Sequence, residues 1–154
     1  MALDQVQRHD ANTWIVQLPG HEPYAFTRLK RVFSSDDVRH RVVVVDSRKL
    51  LACADRDTID YVLPHVPYWH PGKVSGIREF LAPGQLRIPE MPHVTISTKR
   101  ARTLLGLVGL SKAGVVSFRN GQHRARYLAF VGATNFPVEV HETEAALLEH
   151  YCGA

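Results

Sequence analysis

Gly114 to His141, GVVSFRNGQHRARYLAFVGATNFPVEVH, decides how this chain is read. It opens on a short apolar run, Val115 to Phe118, bounded by glycine. Asn120-Gly121 is a strong turn dipeptide. Tyr127, Leu128 and Val131 then fall on one face of a helix. Gly132 is placed to stop that helix in the left-handed conformation. Phe136, Val138 and Val140 alternate as in a half-buried strand, with Glu139 and His141 pointing the other way. The stretch reads strand, tight turn, helix, strand.

The first turn of this helix is cationic. His123, Arg124 and Arg126 sit where the helix dipole is positive, at a cost of about 0.3–1 kcal/mol each. Phosphate bound there would reverse the sign, because a helix N-terminus presents backbone N–H groups and a positive field to an anion. Asn120 and Gly121 let the chain turn tightly against the anion, the N–H groups of Gln122 and His123 would point at it, and Arg124 would add a charged fork. The bland alternative is a set of solvated cations on an exposed helix.

Asn120-Gly121-Gln122-His123-Arg124, followed by a helix, a glycine and an FPVEV strand, resembles the ParB/sulfiredoxin superfamily, in which a G-x-H-R or G-x-R-R turn holds nucleotide phosphates. The longer block from Met91 to Gly153 is similar to the plasmid fertility inhibition family, with a weaker likeness from Trp69 to Gly84. The resemblance implies a small mixed sheet flanked by helices, a single α/β domain. It also implies a nucleotide, ATP or CTP, at Asn120 to Arg124. The implied function is inhibition of conjugative DNA transfer at the type IV secretion machinery, on its coupling protein, a transport ATPase or the DNA cargo. Relatives of that family are associated with ATPase and DNase activity.

The departures from the superfamily carry weight. Sulfiredoxin has a cysteine just before the His-Arg pair, where this chain has Gln122; without that thiolate its chemistry is not expected. ParB proper continues into a helix-turn-helix DNA reader and a dimerisation tail, and the sequence to Ala154 carries neither, so partition-site reading is not expected.

Length and composition agree with one folded domain. The chain has 154 residues, 45% of them apolar and 22% charged, which is ordinary for a globular domain with its own core. Neither Val42 to Val45 nor Leu104 to Leu110 is long enough to span a bilayer. MALDQVQRHD lacks the apolar core of a signal peptide, so a cytoplasmic location is expected. Cys53 and Cys152 form no framework, and reduced thiols are the default.

A formal charge of +4 suits a polyanion or an acidic protein surface. The cations cluster at Arg28, Lys30 and Arg31, at Lys99, Arg100 and Arg102, and at Arg119, Arg124 and Arg126. Lys99, Arg100, Arg102, Arg119 and Arg126 are therefore candidates for contact with DNA. In the HVPYWHPG loop, Tyr68 and Trp69 could stack on a base or a protein partner, or simply pack the loop down.

Catalysis has weaker support. Asp46, Asp55, Asp57, Glu79, Glu139 and Glu142 form no recognisable pair. The nine histidines include no H-x-x-x-H, and there is no C-x-x-C, so no metal site is indicated. Three readings stand: a transfer inhibitor with a live phosphate pocket, a nucleotide-dependent enzyme with an unrelated substrate, and a protein-binding inhibitor whose pocket is dead.

Along the chain, residues 1–12 are expected to fray. Thr13 to Leu18 reads as an edge strand and Arg41 to Asp46 as a buried one, with Asp46 capping a helical turn. Helices are expected over Thr58 to Leu63, Lys73 to Ala82 and Lys99 to Leu105, and a strand over His93 to Ser97. Thr143 is the expected N-cap of a last helix, and Gly153 its C-cap.

Overall fold

A computed structural model describes residues 5–33, 37–56, 65–100 and 112–154. Its elements in chain order are β1 (Val6–Arg8), β2 (Thr13–Gln17), β3 (Phe26–Lys30), β4 (His40–Asp46), α1 (Ser47–Ala54), a 3₁₀ turn (Val66–Tyr68), α2 (Pro71–Phe80), β5 (His93–Arg100), β6 (Lys112–Asn120), α3 (Gln122–Phe130), β7 (Asn135–His141) and α4 (Glu142–Cys152). The expected helix over Thr58 to Leu63, the expected helix from Lys99 to Leu105 beyond residue 100, and the candidates Asp57 and Arg102 lie outside the described residues.

The strands form two sheets, β1-β2-β3 and β4-β7-β5-β6. Within the larger sheet β4 with β7 and β5 with β6 are antiparallel, and β5 meets β7 in parallel. Helices α1 and α4 pack on this sheet, while β1 and β2 pack against β7. Val45, Leu50, Val94, Val116, Phe136, Val138, Val140, Leu148 and Cys152 belong to one buried core with Trp14, Val16, Leu29, Tyr127 and Leu128.

Strand β7 corrects the half-buried reading. Phe136 to Val140 are all buried, because the strand is interior and covered on both faces. Glu139 is fully buried. Its carboxylate accepts from Arg31 Nε at 3.0 Å, Val32 N at 2.6 Å and Phe33 N at 3.3 Å. Arg31 Nη2 also donates to the His40 carbonyl at 2.8 Å. A buried carboxylate is tolerable only when it is paired and hydrogen-bonded in this way, and the pair ties the end of β3 to the centre of the larger sheet.

Five other expectations are corrected. Val6–Arg8 is not frayed, because it pairs antiparallel with β2, which makes β2 the middle strand of its sheet. Strand β4 is at the sheet edge, and its burial alternates because one face packs on the core. Lys99 and Arg100 are in strand β5, opposite Ala113 and Lys112, since cross-strand pairing outweighs their helix propensity. The N-cap of α4 is His141, whose side chain accepts from Thr143 N at 3.3 Å; Thr143 is inside the helix. Asp46 does cap α1, accepting from Lys49 N at 3.0 Å.

Candidate functional site

Strand β6 ends at Asn120 and α3 begins at Gln122, with Gly121 between them at φ +87°. That backbone conformation favours glycine. A Cβ at this position would also meet Pro92 Cα at 2.9 Å. The first turn of α3 has no acidic residue, and Gly121 supplies no capping side chain. Gly132 ends the helical stretch at φ +98°.

Arg124 does not project as an open fork. Its Nη1 donates to the Glu90 carbonyl, Nη2 reaches Asn120 Oδ1 at 3.5 Å, and the guanidinium lies 5.6 Å from the centre of the Phe80 ring. Burial pushes its pKa below the ordinary arginine value, against the pull of Glu90. Glu90 bridges to Lys30, and the segment is held by Lys30 N to Pro89 O at 2.8 Å and Met91 N to Lys30 O at 2.8 Å. Arg124 therefore fastens the turn to the place where the small sheet joins the segment before β5.

His123 faces a different neighbour. Trp69 meets it edge to face, with ring centroids 5.3 Å apart. Trp69 is 9% exposed, and Tyr68 beside it is 80% exposed. The two alternatives for this aromatic pair, stacking on a partner or packing the loop down, are thus divided between them: Trp69 packs the loop down and Tyr68 stands out. Immediately after Trp69, His70 caps α2 by accepting from Gly72 N at 3.0 Å, with Pro71 in the first turn. The segment leading into α2 therefore touches the first turn of α3 at the Trp69–His123 contact, and neither first turn contains an acidic residue. The His123 pKa is lowered by burial first, then by the positive charges of Lys73 and Arg126. Lys73 is the residue sequence reasoning missed; the clue lay in its place two residues after the Pro71 that starts a helix.

Among the described residues the DNA candidates are not brought together. Arg126 is 7% exposed and pairs with Asp55 at 2.7 Å, so its charge is spent on the end of α1. Lys99 donates to the Arg56 carbonyl at 2.8 Å. In the β5–β6 hairpin Lys99 lies opposite Ala113, whereas Arg119 is at the other end beside Asn120. Six residue steps along the strand separate Ala113 from Arg119, about 20 Å.

Among the described residues the carboxylates are also dispersed, into the Asp46 cap, the Asp55 ion pair and the buried Glu139. Among the described residues no group of three or more His, Cys, Asp and Glu could hold a metal ion. No described helix is long and apolar enough to cross a membrane.

A mixed α/β domain of the ParB/sulfiredoxin type, with a cationic turn at a helix start, is the class that fold and site define. A family model for the plasmid fertility inhibition factor matches residues 42–153, and the chain belongs to that family. Its class of function is fertility inhibition, the suppression of a plasmid's conjugative transfer. The fold is similar to a crystal structure of oncogenic suppression activity protein, described as a plasmid fertility inhibition factor and solved as a gold(I) cyanide derivative. The TM-score is 0.64 at 18% identity, over 98% of this chain and 74% of that one. No curated protein matches the chain.

Proposed function

We propose that this chain suppresses conjugative transfer by holding a phosphate-bearing ligand where α2 and α3 begin, and that it acts in that state on the type IV secretion machinery, at the coupling protein or a transport ATPase. The supporting observation is the Trp69–His123 contact between the segment leading into α2 and the first turn of α3, with the Lys73 charge acting on His123 and no acid in either first turn. Two positive helix ends and a lysine favour a compact polyanion. A nucleoside triphosphate, ATP or CTP, fits that description better than a duplex does, because the hairpin keeps Lys99 and Arg119 apart.

The test is a mating count with the protein expressed in donor cells, read beside its soluble level, together with calorimetry of ATP and CTP binding. Wild type should lower transfer, and Lys73→Ala/His123→Ala should lose both binding and inhibition. Unaffected transfer across several conjugation systems overturns the functional reading. Inhibition that survives the double substitution overturns the pocket.

A second reading has its own observation. Tyr68 and Phe130 are 80% and 55% exposed, and Phe130 lines a shallow groove of about 250 Å³ with Leu51, His65, Val66, Pro67, Arg126 and Ala129. An inhibitor that works by docking alone would use that surface, and Tyr68→Ala would then abolish inhibition while nucleotide binding stayed intact.

A further inference from the structure

Cys53, in the last turn of α1, and Cys152, the last residue of α4, are far apart in sequence and are brought together by the packing of those two helices. Both are buried and reduced. Each thiol is close enough to shift the titration of the other. Arg56 Nη1 also reaches the Cys53 sulfur, at 3.5 Å, while donating to the Gly114 carbonyl at 3.0 Å. The same junction is already held by weaker ties: Val45 bridges to Gly153, Ala154 N donates to Val44 O at 3.2 Å, and Lys49 Nζ donates to Gly153 O at 3.2 Å. The end of the chain is thus held against β4 and α1, with both thiols buried at that junction.

We propose that Cys53 and Cys152 are a modification site, at which a small hydroperoxide converts the two thiols into an intramolecular disulfide. The Cys53 sulfur attacks the peroxide, the O–O bond breaks, and Cys53 becomes a sulfenic acid as the peroxide leaves as an alcohol, or as water from hydrogen peroxide. Cys152 then attacks the sulfenic sulfur. The S–S bond forms, the S–O bond breaks, and water departs with the Cys152 proton. Two thiols and one hydroperoxide give one disulfide, one alcohol and one water.

The order of attack follows from the surroundings. Arg56 Nη1, 3.5 Å from the Cys53 sulfur, favours the thiolate there, and the neighbouring Cys152 together with Arg56 lowers the Cys53 thiol to about 7, against burial. The contact with Cys53 and burial push the Cys152 thiol upward. A thiolate is the nucleophile, so Cys53 reacts first and Cys152 resolves.

The experiment exposes the full chain to hydrogen peroxide, denatures and alkylates it, and maps peptides by mass spectrometry. Both cysteines should lose alkylation together, appear as one cross-linked peptide pair two hydrogens lighter, and return to thiols with dithiothreitol. Closing so long a loop should raise Tm by about 5–10 °C. In Cys152→Ser, a dimedone-type nucleophile should trap sulfenic acid at Cys53, and in Cys53→Ser, Cys152 should stay a thiol. Two thiols that remain alkylatable in the wild type, or cross-links only between chains, overturn the proposal. So does oxidation of Cys152 in Cys53→Ser as fast as that of wild-type Cys53. The wild-type peptide map does not depend on either variant folding.

Discussion

Trp69 and His123 meet edge to face, with ring centroids 5.3 Å apart. The contact joins two stretches that look unrelated in sequence, the HVPYWHPG loop and the NGQHR turn. It makes the start of α2 part of the surface around the start of α3, and it places an indole against a titratable ring.

Affinity for a triphosphate should therefore depend on pH through His123. Burial, Lys73 and Arg126 all lower its pKa in the unliganded protein, so it is neutral at pH 7. A bound polyanion favours the protonated ring and raises that value. Binding should strengthen as pH falls through the bound-state value and level off below the unliganded one. Trp69 emission, followed in a Trp14→Phe background, reports the titration. Affinity that stays flat in His123→Gln but not in wild type is the expected pattern; equal pH dependence in both would exclude His123.

Gly121→Ala and Arg124→Ala should act on the turn itself. The first forces a side chain into φ +87° and against Pro92 Cα at 2.9 Å, a strain of about 1–3 kcal/mol. The second releases the turn from the Glu90 carbonyl and from Phe80, a loss of about 1.5–3 kcal/mol for a charge-assisted bond. Urea titration measures both. An Arg124→Ala protein of unchanged stability would mean that the guanidinium is available to a ligand after all.

Removing the carboxylate of Glu139 should be among the most damaging single changes. Glu139→Ala leaves Arg31, Val32 N and Phe33 N without their acceptor in a closed site. Breaking one partner of a buried pair costs about 3–5 kcal/mol. Thermal melts of Glu139→Ala and Glu139→Gln test this, with Gln expected to retain part of the stability because its oxygen can still accept.

Acid should destabilise the fold from just below neutrality. Burial lowers the pKa of His21, with Arg78 adding to the effect and Glu79 opposing it, and burial followed by His40 lowers that of His93. In each case the unfolded chain, near 6.5, takes up a proton before the folded one does. Stability is then full above about 6.5 and is lost as pH falls through the depressed folded-state values. His21 also shares a 2.8 Å hydrogen bond with Tyr127 OH inside the core. His21→Gln should melt lower at pH 7.5 but lose less between pH 7 and 5; a steeper loss than wild type would contradict this account.

Local chemistry was readable from the residues alone. Asn120-Gly121 had to turn and Gly132 had to stop a helix, since only glycine takes up those φ values freely. Tyr127, Leu128 and Val131 had to face a core because they recur at helical spacing. Asp46 had to cap α1 because its carboxylate stands one residue before a helical run. Each of these depends on contacts within a few residues, which sequence order controls directly. The fate of the charges did not follow in this way. Arg124, Arg126 and Glu139 are alike in being charged residues on a periodic pattern, yet one clamps Glu90, one pairs with Asp55 and one is buried with Arg31. Their partners come from elements 34, 71 and 108 positions away. Which of those elements lies alongside is set by sheet order and helix packing. For the same reason the sequence could not show that Trp69 would cover His123, or that Cys53 would meet Cys152: a side chain's spacing governs its direction, and only the assembled fold supplies what it points at.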